Sequence, residues 1–253
     1  DVYLIEQLEK CQNPSRAVLT TYPPGYYLPN NIPEETRATI LTPWKFDRKN
    51  ILRQKGRVLE RCIETKLSKS TGNDNIPCML YAGGFNFSMS KILSICPYEE
   101  LHHLFFGEEI SMAVRLYTHG FDLYAPPQSV CYHLWSRNHR PIFQTDIGES
   151  SADDCNNEKY ENLAVISRDR VFQQLLGNVD GFGTIRTASE FANALRVDFT
   201  KFIIEENAVD VGLDPTSFVA SQTVEPSTST SSSEVLETIL GIVADNQASD
   251  KQF

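Results

Sequence analysis

Residues 107–135 read GEEISMAVRLYTHGFDLYAPPQSVCYHLW. Ile110, Ala113, Val114 and Tyr117 recur at helical spacing and share one face, flanked by Met112 and Leu116. Gly107 stands before this run, and Gly120 is placed as the residue that closes a helix in the left-handed region. Glu108 and Glu109 therefore open the helix. In SVCYHLW, Ser129, Cys131, His133 and Trp135 alternate with Val130, Tyr132 and Leu134, the period of a strand. Acid pair, helix, glycine, strand and histidine in that order predict a site at the edge of an α/β sheet.

Each feature also has a purely structural reading. Carboxylates at a helix N-terminus complement the helix dipole and cap it, and both are expected to stay ionised at neutral pH. The same carboxylates can accept sugar hydroxyls or balance positive charge at an anomeric carbon. A strand histidine is commonly a hydrogen-bonded core residue, but its imidazole can also hold a divalent ion against a diphosphate. Such an ion needs carboxylate ligands as well, and the chain contains no Asp-x-Asp. His102-His103 diverge as neighbours and suggest no metal site.

The elements on either side fit a mixed sheet flanked by helices. Residues 1–12 have amphipathic helical spacing, and Asn13-Pro14-Ser15 stops them. Ala17–Thr21 reads as a buried strand, followed by the turn Tyr22-Pro23-Pro24-Gly25-Tyr26. Ala38–Thr42 is a further strand, 48–57 a basic segment and Lys66–Asn75 a loop. Ile76–Ala82 reads as a buried strand ending at Gly83-Gly84, where backbone can approach a ligand closely or simply turn. Asn86 and Ser88 follow as hydrogen-bond donors. Ser88–Ile95 and Ser189–Leu195 predict short helices, and Lys159–Leu176 a longer one. Asp146–Asn157 is a polar loop. After the histidine strand, Arg137 and Arg140 flank His139 in a polar segment. They either neutralise a leaving diphosphate or lie in a solvated loop.

The chain has 253 residues and a formal net charge of −10, which argues against general nucleic-acid binding. Its six cysteines show no metal-binding spacing and are expected to be reduced, pointing to the cytoplasm. No apolar run reaches 18 residues and no secretory leader is visible, so no membrane partner is expected. Residues 224–233, VEPSTSTSSS, cannot bury enough apolar surface to offset their ordering. Residues 207–253 are expected to form a disordered tail with a short helix at Glu234–Ala244. The globular part is then 1–206.

Several stretches resemble a known family. AVLTTYPPGY at 17–26, YAGGFNFS at 81–88, FFGEEISMAVRLYTHGFDLYAPP at 105–127, YHLWSRNHRP at 132–141 and GFGTIRTASEF at 181–191 are similar to the cytosolic hydroxyproline N-acetylglucosaminyltransferases. The described member of that family modifies the Skp-type adaptor of an SCF ubiquitin ligase. A more distant likeness is to the polypeptide N-acetylgalactosaminyltransferases. Their AGG strand end, WGGEN turn and later metal-binding histidine come in the same order. Glu108 falls on the WGGEN glutamate and Glu109 on its asparagine, and the 25-residue step to His133 matches.

The resemblance implies the C-terminal portion of a GT-A fold, a UDP-sugar donor, a protein acceptor, retention of anomeric configuration and a divalent metal, Mn²⁺ or Mg²⁺. It implies Glu108 and Glu109 as the catalytic pair and His133 as a metal ligand. Gly83, Gly84, Asn86, Arg137 and Arg140 would bind the donor. In that family an Asp-Ser-His form of the metal motif precedes a Trp-Asp pair, and this sequence begins at Asp1-Val2. The nucleotide-binding half-sheet and two metal ligands are therefore expected to be missing, and donor binding weak. A catalytically dead module that binds glycan or protein is the alternative. A metal-dependent hydrolase centred on His133 is weaker, because HxH and HExxH spacings do not occur.

Overall fold

A computed structural model describes residues 2–27, 31–34, 36–61, 64, 66, 68, 69, 72–102, 104, 107–136, 154–210 and 213. The chain opens with helix α1 (Val2–Glu9) and a 3₁₀ turn at Pro14–Arg16, then enters strand β1 (Ala17–Thr20). The hairpin β2 (Thr39–Phe46) and β3 (Leu52–Val58) follows. After it come β4 (Ile76–Cys78), β5 (Asn86–Ser88), helix α2 (Ile92–Ile95), helix α3 (Glu108–Thr118) and β6 (Asp122–Ala125). The described chain ends with α4 (Asp154–Leu176), α5 (Ala188–Leu195), the small hairpin β7 (Val197–Asp198) and β8 (Ile203–Ile204), and a 3₁₀ turn at Glu206–Asp210.

The main sheet has four strands in the order β4-β6-β1-β5. β6 runs parallel to β1 and antiparallel to β4, while β5 runs antiparallel to β1, so the sheet is mixed. The two-residue period of a strand decides which layer each side chain joins. Ala17 and Leu19 of β1 join Tyr124 of β6 and Leu8 of α1 in a small cluster on one face. Val18, Leu123 and Ala125 point the other way, into the large core with Ile110, Val114 and Leu116 of α3, Val171 of α4 and Phe191 of α5. The expected mixed sheet flanked by helices is thus present.

Several local expectations need correction. Ser129–Trp135 is not a strand. The chain leaves the sheet at Pro126-Pro127, where a proline has no N–H for a ladder, and makes only isolated bridges, Gln128 to Arg37 and His133 to Gly25. The strand predicted over 76–82 stops at Cys78, and the helix predicted over 88–95 begins only at Ile92, because Asn86–Ser88 pairs with β1. Lys66, Ser68 and Lys69 are helical where a loop was expected. Residues 154–157 belong to α4 rather than to a polar loop. The basic segment supplies β3. Asp47 Oδ1 accepts the N–H groups of Lys49 (2.8 Å) and Ile51 (3.1 Å), and Asn50 takes a left-handed φ of 58°, which closes the hairpin turn.

The tail and the helix expected at 234–244 lie outside the described residues. Within them, the turn at Glu206–Asp210 buries Ala208 completely, and Arg57 Nη1 donates to the Val209 carbonyl at 2.7 Å. The thiols of Cys11, Cys78, Cys96 and Cys131 are free. No helix among the described residues is long and apolar enough to cross a membrane.

Candidate active site

Helix α3 is the centre of the site. Every residue from Ile110 to Leu116 is buried, so the helix runs through the core with only its first turn reaching the surface. It starts from Gly107, whose φ of 124° is open to glycine and strained for any other residue. Two consecutive helical residues point about 100° apart. Glu108 is therefore exposed while Glu109 turns inward.

Glu109 meets the end of the sheet. Beyond β4, residues 80–82 stay buried and carry the chain to the exposed turn Gly83-Gly84. Thr20 pins this turn: its Oγ1 accepts the Ala82 N–H at 2.9 Å and donates to the Phe85 carbonyl at 3.1 Å. The Gly83 N–H then donates to Glu109 Oε1 at 2.8 Å, and Gln54 Nε2 of β3 donates to Oε2 at 3.2 Å. A Cβ at Gly84 would come within 3.2 Å of Pro23, so that glycine also serves packing.

Burial pushes the Glu109 carboxyl up to about 7, with the Glu108 charge adding to the rise and the Gly83 hydrogen bond opposing it. This corrects the expectation that both glutamates stay ionised at neutral pH. The helix dipole favours the anion, but desolvation of a carboxylate is the larger effect here. Tyr22 is held above its ordinary value by burial and then by the charge of Glu109. Tyr81 is raised by burial, then by its hydrogen bond with Tyr98, and to a smaller extent by Glu109. Both phenols thus lie within electrostatic reach of the same carboxyl.

His133 reaches Tyr22 through aromatic rings. Its backbone N–H donates to the Pro24 carbonyl at 2.9 Å, and its carbonyl accepts from Tyr26 at 3.2 Å. The His133 and Trp135 rings lie 4.1 Å apart, and Trp135 stacks on Tyr22 at 4.9 Å and 17°. Glycines make room for the stack. A Cβ on Gly56 would fall 2.5 Å from Tyr22 Cδ1, and one on Gly25 would fall 2.8 Å from Trp135 Cδ1. The ring contacts thus run from His133 through Trp135 to Tyr22, whose phenol feels the charge of Glu109.

Among the predicted site residues, Glu109, Gly83 and Gly84 come together, and His133 joins them through the ring stack. Asn86 stands exposed on β5, opposite Thr20. Glu108 lies outside the hydrogen bonds that hold Glu109. Arg137 and Arg140 fall outside the described residues. Gln54, Tyr22, Thr20 and Trp135 were not predicted. YPPGY marked a turn but gave no sign that Tyr22 lies within the field of a carboxylate. No three His, Cys, Asp or Glu side chains converge among the described residues. The described donor set does not by itself fit a divalent ion.

A buried carboxyl beside an open glycine turn can orient hydroxyls, balance developing positive charge, or exchange a proton near neutral pH. Comparison with known proteins gives the family of the chain. The Glycosyltransferase (GlcNAc) family matches residues 1–209. Neither the curated proteins nor the solved structures give a match. The family match spans most of the chain, and its mixed α/β architecture fits a GT-A-like fold: this chain belongs to the Glycosyltransferase (GlcNAc) family.

Proposed function

We propose that the chain transfers N-acetylglucosamine from UDP-GlcNAc to a protein hydroxyl, that of hydroxyproline on a Skp-type ubiquitin-ligase adaptor, with retention at the anomeric carbon and in the cytoplasm. The observation that carries the reading is the Glu109 carboxyl, held at the Gly83-Gly84 turn by a main-chain hydrogen bond of 2.8 Å. The family match and the sequence resemblance support glycosyl transfer as its chemistry.

In this reading the donor sugar lies against the exposed Gly83-Gly84 turn, where no side chain stands between ligand and backbone. Glu109 orients a sugar hydroxyl and balances the charge of an oxocarbenium-like transition state. Glu108, exposed beside it, adds negative potential at the rim. Asn86 offers a hydrogen bond to donor hydroxyls. Arg137 and Arg140 close over the leaving diphosphate. Dependence on Mn²⁺ or Mg²⁺ rests on the resemblance alone, which makes His133 one ligand. A bound ion would supply charge neutralisation of the leaving group.

The test is incubation of the chain with UDP-GlcNAc, MnCl₂ and a hydroxyproline peptide. Release of UDP and the gain of one N-acetylhexosamine on the peptide are the expected results. Absence of both, together with no donor binding by calorimetry, would sink the proposal. Donor or glycan binding without turnover would favour a binding module instead.

A further inference from the structure

β3 brings Gln54 to the oxygen of Glu109 that the main chain does not hold. In the hairpin register Gln54 lies opposite Pro43 and Gly56 opposite Leu41, so Gln54 and Gly56 share a face. Gly56 abuts Tyr22, which turns that face toward the Tyr22 ring. Gln54 Nε2 donates to Glu109 Oε2 at 3.2 Å, while Gly83 N–H donates to Oε1 at 2.8 Å.

The two partners differ in kind. A main-chain N–H only donates, so it serves Oε1 in either protonation state and leaves a proton no place on that side. A carboxamide holds a donor and an acceptor, and a half-turn about its last bond exchanges them. Gln54 Oε1 is buried and makes no hydrogen bond. Turning the amide therefore gives up no contact at that oxygen and would give it one, from a proton on Glu109 Oε2.

We propose that Gln54 is a positioning residue for Glu109, donating through Nε2 to its carboxylate and turning to accept through Oε1 from its carboxylic acid, so that Glu109 keeps one geometry as a proton on Oε2 comes and goes. The inference rests on Glu109 as the working acid of the proposed transfer. The proton exchanges with water, so the step needs no further reactant. The groups facing Glu109 are Glu108 on its own helix, Tyr22 from the turn after β1, Tyr81 from the segment after β4 and Gln54 from β3. Burial raises the carboxyl to about 7, so both forms are populated near neutrality.

The experiment follows the carboxyl carbon of Glu109 by NMR across pH in ¹³C-glutamate-labelled protein, with Glu109→Gln to assign the signal. Gln54→Leu removes both donor and acceptor. A hydrogen bond to an ion is stronger than one from a neutral acid, so the midpoint should rise by about one unit, tenfold in the acid constant. Gln54→Glu should raise it further, because two adjacent carboxyls share one proton. Should Gln54→Leu fail to fold, Gln54→Glu, close to isosteric, carries the test. Midpoints within about 0.3 unit of wild type in the folded variants would overturn the proposal. The titration needs no turnover. A shifted midpoint in a protein without transferase activity supports the role of Gln54 and removes the proposed function. Active transferase with an unmoved midpoint does the reverse.

Discussion

The main-chain N–H of Gly83 donates to Oε1 of Glu109 at 2.8 Å, joining the end of a sheet strand to the first turn of the helix that fills the core. One contact thus fixes both an open backbone turn and the acid beside it. It also separates the two glutamates, since only Glu109 is inside. Glu109→Gln should lower transfer from UDP-GlcNAc by on the order of 10²-fold or more in kcat, the scale seen when one transition-state electrostatic group is removed. Glu108→Gln should stay within roughly tenfold of wild type, because an exposed charge acts through water. Steady-state kinetics on both variants decide it, and equal losses would reject the assignment to Glu109.

The raised carboxyl also predicts how stability depends on pH. In the unfolded chain Glu109 titrates near its ordinary 4.5, and in the folded chain at about 7. Between these values the folded state binds more protons, so stability falls as pH rises through that window and levels off above it. The full penalty is about 3 kcal/mol. Glu109→Gln removes it. That variant should be more stable than wild type at pH 8 and about equal at pH 4.5, measured by urea unfolding. Parallel curves across the whole range would show that burial does not govern this carboxyl.

Stacking of Tyr22 on Trp135 ties the His133 segment to the turn after β1. A double-mutant cycle with Tyr22→Leu and Trp135→Leu should give a coupling of about 1 kcal/mol in unfolding free energy, typical of aromatic pairs. Additive losses would mean that the rings touch without contributing.

Gly183 lies against the C-terminal end of α3. A Cβ there would fall 2.3 Å from the Thr118 carbonyl oxygen and 2.4 Å from His119 Cα, both backbone atoms that cannot swing aside. Gly183→Ala should cost about 2–3 kcal/mol, seen as a lower denaturation midpoint. A neutral result would show that the loop at 181–187 can lift from the helix without loss.

Arg115 is buried in α3, with Nε 3.6 Å from Glu99 Oε2, while Glu99 Oε1 accepts from Arg170 Nε at 2.9 Å. Glu99→Ala leaves a buried cation without its counter-charge and should destabilise by roughly 3 kcal/mol. Arg115→Met, which removes the cation itself, should cost less. The reverse order in chemical denaturation would contradict this account.

The sequence alone placed α3 and its capping glycine, because Ile110, Ala113, Val114 and Tyr117 recur at helical spacing and leave little choice of period. It also placed β1, whose alternation feeds two layers, and it marked Gly83-Gly84 as a turn and the glutamate pair as the start of a helix. Its several distinct motifs carried the family resemblance. What it could not decide was long-range. Adjacent helical residues diverge, so either glutamate could have faced inward until the packing of α3 against the sheet chose Glu109. Alternation in SVCYHLW resembled a strand, but a strand needs a partner edge, and the ladder through β6 ends at two prolines. Gln54 sits in a run of basic residues whose facing is set by the hairpin register, including a shift between Pro43 and Lys45. Only pairing across the hairpin and closure onto Tyr22 bring that amide to the buried acid, and the same burial, a property of the folded chain and not of its composition, moves the acid's proton to neutral pH.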